Sequence, residues 1–325
     1  MERYQHTLSK AVRFGGVGLH SGEAVNLTVK PAEANCGVRF VRTDKPGHGA
    51  IPAFVNRVVD TTLATTIASG GVSVSTTEHL LAALVGLGID NALIELDGPE
   101  VPILDGSAGP FVLILRQAGR RRQKALRRFL KITREITFQD GDKTIRVRPY
   151  DGFKVTSVIE FDHPLIRRQS RTMEISVDTF VREVASARTF GFLDEVEKLQ
   201  ENGLALGGSL DNAIIVDRFG ILNNEGLRFP DEFVRHKVLD LIGDLALLGY
   251  PLLGHVIASK SGHGQHLGLM QAIAARPDCW ELVSYDPDLD SGVLERVVMS
   301  TRAAGNRLMP LLVPPTTLSN GSCAA

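Results

Sequence analysis

The sequence predicts an α+β protein built as two domains of similar design. Three observations predict it. At 325 residues the chain exceeds what one hydrophobic core usually serves. Period-two runs and amphipathic runs alternate along it, and each half carries strands before and after paired helical stretches. Between the halves lies Arg120-Arg121-Arg122-Gln123-Lys124-Ala125-Leu126-Arg127-Arg128, a basic stretch without clear apolar periodicity that reads as a solvated linker or helix end. The expected division is 1–125, 126–300 and a flexible tail, 301–325.

In the first half, 24–29 and 37–41 alternate as strands. A short strand at 72–75 feeds a helix at 78–85, announced by Ser75-x-x-Glu78 and stopped by Gly86-Leu87-Gly88. A strand at 91–96 and a helix at 111–118 follow. The second half opens with strands at 132–138, 144–147 and 153–159, with Asp140-Gly141-Asp142 as a hairpin turn. Helices are expected at 178–186 and 192–202, a strand at 213–216, a long helix at 231–248, a strand at 252–259 and a helix at 267–275. Two further short elements are expected after Trp280.

Composition narrows the function classes. Hydrophobic residues make up 43% and charged residues 22%, an ordinary globular balance. Lys and Arg total 36 against 37 Asp and Glu, so the basic excess of a general nucleic-acid binder is missing. Cys36, Cys279 and Cys323 are far apart and odd in number, which suggests neither a disulfide framework nor a Cys-ligated zinc. The N-terminus has no apolar run, and the most apolar stretch, 239–258, is broken by Asp240, Asp244 and His255. The expectation is a cytoplasmic protein with at most peripheral membrane contact through the local basic cluster.

Four segments carry chemistry. In the helix at 231–248, His236, Asp240 and Asp244 recur at i, i+4, i+8 and share one face, while Val238, Leu241, Ile242, Leu245 and Leu248 supply the apolar stripe. An imidazole and a carboxylate one turn apart can grip one metal ion, although the same spacing also describes a solvated ion pair. Ser75-Thr76-Thr77-Glu78-His79-Leu80 reads as a capping box, which leaves His79 unexplained; as a third ligand it would complete a catalytic zinc site with Glu78 poised as base. In Lys260-Ser261-Gly262-His263-Gly264-Gln265-His266, His263 lies in a glycine-flanked loop at a strand end, either an exposed turn residue or a general acid that Asp244 would keep protonated. In Ser186-Ala187-Arg188-Thr189-Phe190-Gly191-Phe192, Thr189 offers a hydroxyl to an oxyanion, and the phenylalanines suit a sugar or an apolar channel, or simply a core. The acid-rich run 97–107 lacks EF-hand spacing and reads as a structural loop and helix cap.

Together these segments resemble the UDP-3-O-acyl-N-acetylglucosamine deacetylases, zinc hydrolases of lipid A biosynthesis in Gram-negative bacteria. The resemblance runs from Thr7 to about Trp280. It is carried by Gly16-Val17-Gly18-Leu19-His20-Ser21-Gly22, Thr76-Thr77-Glu78-His79-Leu80, Gly86-Leu87-Gly88-Ile89-Asp90-Asn91, Asp105-Gly106-Ser107, Ala187-Arg188-Thr189-Phe190-Gly191-Phe192, Phe233-Val234-Arg235-His236-Lys237-Val238-Leu239-Asp240 and Lys260-Ser261-Gly262-His263. It implies a β-α-α-β sandwich with a small insert in each domain. It implies zinc on His79, His236 and Asp240, with Fe2+ an alternative. Glu78 would be the base, His263 the acid with Asp244 behind it, and Thr189 an oxyanion partner. Lys237, Phe190, Phe192, Phe161, Lys143, Lys260 and His20 would meet the substrate, a UDP-sugar bearing one acyl chain. An insert at about 192–216 would form a βαβ passage for that chain, lined by Leu199, Leu204, Leu206, Ile214 and Val216. Two departures stand out. Ala64 occupies a position near the zinc where the family often has Cys, and the tail after Met299 matches no family segment.

The implied reaction is hydrolysis of the N-acetyl amide. Two other readings stay open. One is a metal-dependent amidohydrolase acting on another acylated amine, separable by comparing substrates with and without the acyl chain. The other is a non-enzymatic binding module, which would carry no metal. No obligate protein partner is evident in the sequence.

Overall fold

A computed structural model describes residues 2–164 and 166–285, so the expected tail and the last expected element lie outside the described residues. The architecture is mixed α+β. In the first half, one sheet runs in the order Val12–Val17, Ala24–Pro31, Ala92–Leu96, Val38–Arg42, Ile51–Pro52. Its pairs are antiparallel except Val38–Arg42 with Ala92–Leu96. Val25, Leu27 and Val29 point into the core while Ala24 and Asn26 face water, the alternation that one covered face requires. Helix α1 (Glu78–Gly86) and helix α2 (Gly109–Ala118) lie in this half, and Phe111 of α2 meets Phe14 edge-on at 5.7 Å. A small meander, Val58–Asp60, Thr66–Ser69 and Val72–Val74, precedes α1.

The second half is organised around Leu252–Ser259, which pairs in parallel with Phe129–Ile132 and Phe153–Glu160 and antiparallel with Lys143–Arg148. Its mostly apolar run is buried, as an interior strand needs. Helix α3 (Val177–Thr179) runs into a π-turn at Phe180–Val184. Helix α4 (Leu193–Glu201) lies in the insert, bounded by the parallel pair Phe190–Phe192 and Ile214–Val216. Helix α5 (Glu232–Leu245) and helix α6 (His263–Ala275) complete the half.

The two halves share a core. Leu80, Leu81 and Leu84 of α1 belong to one continuous apolar cluster with Val238, Leu241, Ile242 and Leu245 of α5. Their approach is close enough to demand glycine. A Cβ on Gly243 would lie 2.0 Å from the Glu78 carbonyl oxygen. Both helices are buried nearly all round. Gly249, at φ 77°, closes the 3-10 turn that follows α5. No helix among the described residues is long and apolar enough to cross a membrane.

Several elements differ from expectation. The basic stretch is not a linker: Arg120–Leu126 is a strand paired antiparallel with Tyr4–Leu8. Its charges are spread along a ribbon, with Arg122 over the Tyr4 ring at 4.2 Å and the nearby Arg127 2.6 Å from Asp90, so no apolar alternation marks it. The strand expected at 132–138 is two, Phe129–Ile132 and Ile136–Asp140, because the chain changes partner where the Thr133 and Arg134 N–H groups donate to the Cys279 carbonyl. The helix expected at 178–186 is only α3 and its π-turn. Arg168–Glu174 escaped notice because it is a polar edge strand.

Candidate active site

Helix α5 presents His236, Asp240 and Asp244 toward the N-terminus of α1. His236 Nε2 lies 3.2 Å from Asp240 Oδ1, and His79 Nε2 reaches the same oxygen at 3.6 Å. The two imidazoles meet edge-on at 5.1 Å. One ligand atom from each of the three side chains lies within 4.8 Å of the others, and all three are buried. The donor set fits a divalent metal for a specific reason. His236 Nδ1 is 3.0 Å from the Ala187 carbonyl, which can only accept, so that nitrogen carries the proton. Burial outweighs Asp240 and lowers the His236 pKa to about 3, so Nε2 is bare. A bare nitrogen therefore faces a carboxylate oxygen, an arrangement that a cation between them relieves. Lys237 Nζ donates to Asp240 Oδ2 at 3.0 Å and orients the carboxylate.

Glu78 and His263 flank this cluster. Glu78 Oε1 is 3.7 Å from His263 Nε2. Burial pushes the Glu78 carboxyl above its ordinary range, against the pull of His263 and His79. Burial disfavours charge on His263 too, but Asp244 and Glu78 outweigh it and raise its pKa to about 10. Asp244 Oδ2 accepts from His263 Nδ1 at 2.7 Å. Despite burial, His263 and His266 hold the Asp244 carboxyl below the usual carboxylate range.

The other expected residues divide into groups. Thr189 is tied by its backbone to Gly106 and Ile214 (2.8 Å each), two residues after the carbonyl that orients His236. Phe161, Phe190 and Phe192 touch edge-on or tilted, at 5.8 and 5.5 Å from Phe161, around a small apolar cluster with Ile214, Val216 and Phe233. Lys237 lies 5.6 Å over the Phe190 ring. His20 is held by Glu100 through its backbone N–H at 3.0 Å, and its Nδ1 is buried without a partner. Lys260 directs its ammonium to Asp142 and Glu160, 3.2 Å each. Lys143 is exposed beside Asp142, and no described hydrogen bond, ion pair or ring contact joins it to the histidines or the phenylalanines. Along the insert, Ile214 and Val216 are buried, whereas Leu204 and Leu206 are 37% and 54% exposed.

Two local expectations are corrected. Ser75 does not cap α1. Thr76 adopts φ 55°, its hydroxyl bonded to Glu100 at 2.7 Å, and that strained turn makes Thr77 the N-cap residue. Glu78 is thereby released from the cap and accepts from the Thr65 N–H at 3.0 Å. His263 is not a loop residue but the first residue of α6, fixed by that helix start.

Sequence reasoning missed Thr65, Glu100, His266 and the pairing of Arg188. Arg188 is buried against Glu232 at 2.9 Å and anchors the Thr189 segment to the start of α5. His266 had a visible signal, an i, i+3 spacing from His263 on one helix. Thr65 had none, because a hydroxyl between strands becomes informative only when its neighbours are known.

The family model for UDP-3-O-acyl N-acetylglycosamine deacetylase matches residues 5–275. A UDP-3-O-acyl-N-acetylglucosamine deacetylase of Methylococcus capsulatus is 50% identical over 303 residues, covering 93% of this chain and 99% of its own. The namesake of Anaeromyxobacter sp. is 53% identical over 286 residues, 88% and 93% of the two chains. That of Hahella chejuensis is 52% identical over 284 residues, 87% and 94%.

Proposed function

The chain belongs to the UDP-3-O-acyl N-acetylglycosamine deacetylase family, and on that premise we propose that it hydrolyses the N-acetyl group of UDP-3-O-acyl-N-acetylglucosamine. The products are the free 2-amino sugar nucleotide and acetate, in the committed step of lipid A biosynthesis. The observation that carries the reading is a three-ligand cluster with a proton acceptor and a proton donor beside it, Glu78 and His263, 3.7 Å apart.

His79, His236 and Asp240 would hold one Zn2+, or Fe2+, which accepts the same donors. When bound, that ion polarises the amide carbonyl and acidifies the attacking water. Glu78, its basicity raised by burial, takes the water proton as oxygen bonds to the carbonyl carbon. The Thr189 hydroxyl donates to the oxygen that gains charge. His263, protonated through neutral pH, delivers its proton to the sugar nitrogen as the C–N bond breaks. Asp244 fixes that ring and offsets its charge.

Lys237 is read as a contact for substrate diphosphate, and Lys143, Lys260 and Phe161 as contacts near the nucleotide. Phe190 and Phe192 start the passage for the single acyl chain, continued by Ile214 and Val216. The unpartnered Nδ1 of His20 supports its reading as a polar contact for substrate. We divide the chain into domains 1–125 and 126–300, with the site between them. The division is supported by one sheet formed wholly before residue 97 and another wholly after 128. A nucleotide-sugar substrate fits a cytoplasmic enzyme.

Acetate release from UDP-3-O-acyl-N-acetylglucosamine, measured beside the same sugar nucleotide without the acyl chain, tests the reading. Metal-dependent turnover of the acylated compound, at least about a hundredfold better than of the other, is expected if the chain is buried in an apolar passage. No release, or equal turnover of both, would overturn it.

A further inference from the structure

We propose that Thr65 and His266 are positioning residues that clamp the Asp244 carboxylate by its two oxygens and so fix the His263 ring for proton delivery. This rests on the assignment of His263 as the general acid. Asp244 Oδ1 accepts the Thr65 hydroxyl proton at 2.5 Å. Oδ2 accepts the Nδ1 protons of both His263, at 2.7 Å, and His266, at 2.6 Å. A carboxylate otherwise turns easily about its last side-chain bond. Gripped at both oxygens by buried donors, it presents one fixed lone pair to His263.

Each jaw is itself held. Thr65 is 2% exposed, and its carbonyl accepts the Thr77 hydroxyl at 3.0 Å. Its N–H donates to Glu78 Oε2 at 3.0 Å, so the same residue touches the base and the carboxylate behind the acid. His266 is 1% exposed, and its Nε2 lies 3.2 Å from the Ser261 hydroxyl, which fits a proton on Nδ1. Burial lowers the His266 pKa despite Asp244, so His266 serves as a neutral donor while His263 bears the charge. Both its ring nitrogens are taken, Nδ1 by Asp244 and Nε2 by the Ser261 hydroxyl.

The charged and titratable groups around His263 are Glu78 from α1, Asp240 and Asp244 from α5, His266 from its own helix and His20 from the loop before Ala24. Removing a jaw changes how Asp244 meets the ring, together with that jaw's own contact to it: the Thr65 hydroxyl lies 3.3 Å from His263 Nδ1, and the His266 ring meets that of His263 edge-on at 6.0 Å. The experiment measures kcat and KM for acetate release across pH in the metal-loaded full chain, with metal content and melting temperature. Thr65→Val and His266→Leu should each lower kcat about tenfold at unchanged KM, the size of one buried hydrogen bond expressed in the transition state. The alkaline limb should move by about half a pH unit or more. Thr65→Ser and His266→Asn, which restore a donor, should recover most of kcat. Folded, metal-loaded Thr65→Val and His266→Leu proteins with parental kcat and an unmoved alkaline limb would overturn the clamp. So would loss of rate explained by loss of metal, with no rescue by Ser or Asn. Should His266→Leu not fold, Thr65→Val, nearly isosteric, decides alone. Failure of the underlying reading looks different: His263→Ala would then keep its turnover.

Discussion

In the proposed mechanism His263 and Glu78 need opposite protonation states, and burial and their neighbours push both toward them. His263 Nε2 and Glu78 Oε1 are 3.7 Å apart, each the other's counter-charge. Glu78→Ala and His263→Ala should each lose about two to four decades of kcat while retaining metal, as removal of a general base or acid does. Metal analysis beside turnover checks this, and His79→Ala, by contrast, should lose the metal. The pH dependence follows from the same environment. The base must be ionised, and its carboxyl is raised, so the acid limb of kcat/KM should lie above the ordinary glutamate range. The acid must be protonated, and its pKa is about 10, so rate should fall only as pH rises through that value. Asp244→Asn should lower that limb toward 6.5, since Asp244 is the largest of the carboxylate influences, Glu78 among them, that oppose desolvation of the ring. The same raised pKa stabilises the fold fully below 6.5, a contribution lost as pH rises toward 10. The residue types of this site became legible only when His79, Glu78 and His263 were set beside His236 and Asp240 and the family resemblance, since the helical spacing alone also describes a solvated ion pair. Thr65 and the second imidazole on Asp244 were not legible, because hydroxyls and paired histidines gain meaning only from what they touch.

Helix α5 was readable because Val238, Leu241, Ile242 and Leu245 recur at helical spacing. Helix α1 was readable in place but not in its start, because the positive φ of Thr76 depends on Glu100, 24 residues later. The strand at Arg120–Leu126 was hidden because its partner is the N-terminal strand, and charge masks its pleat. The contact between α1 and α5 makes a prediction of its own. Gly→Ala inside a helix ordinarily stabilises by about 1 kcal/mol. At Gly243 the new methyl would lie 2.0 Å from the Glu78 carbonyl oxygen, with backbone that cannot step aside. Gly243→Ala should therefore destabilise by about 1–3 kcal/mol, the usual cost of overpacking. It should also lower kcat, because the displaced residue is Glu78. Thermal melts together with turnover check it, and a stabilised, fully active variant would count against close α1–α5 contact.

At the scale of the whole molecule, the cluster takes His79 from the first half and His236 and Asp240 from the second, across one continuous core. Fragments 1–125 and 126–325, produced separately, should bind no metal tightly and release no acetate, and chelation should lower the melting temperature of the intact chain. Tight metal binding by either fragment would refute a shared site. The sequence by itself determined the α+β class, the order of most elements and the residue types able to bind metal and move protons, because these follow from local periodicity and side-chain chemistry. Only the tertiary structure decided the distances at which the histidines meet Asp240 and Asp244, that Glu78 leaves its cap, and that Thr65 and His266 grip Asp244. Those outcomes depend on distances between segments up to about two hundred residues apart, which close packing of α1 on α5 sets and no local pattern records.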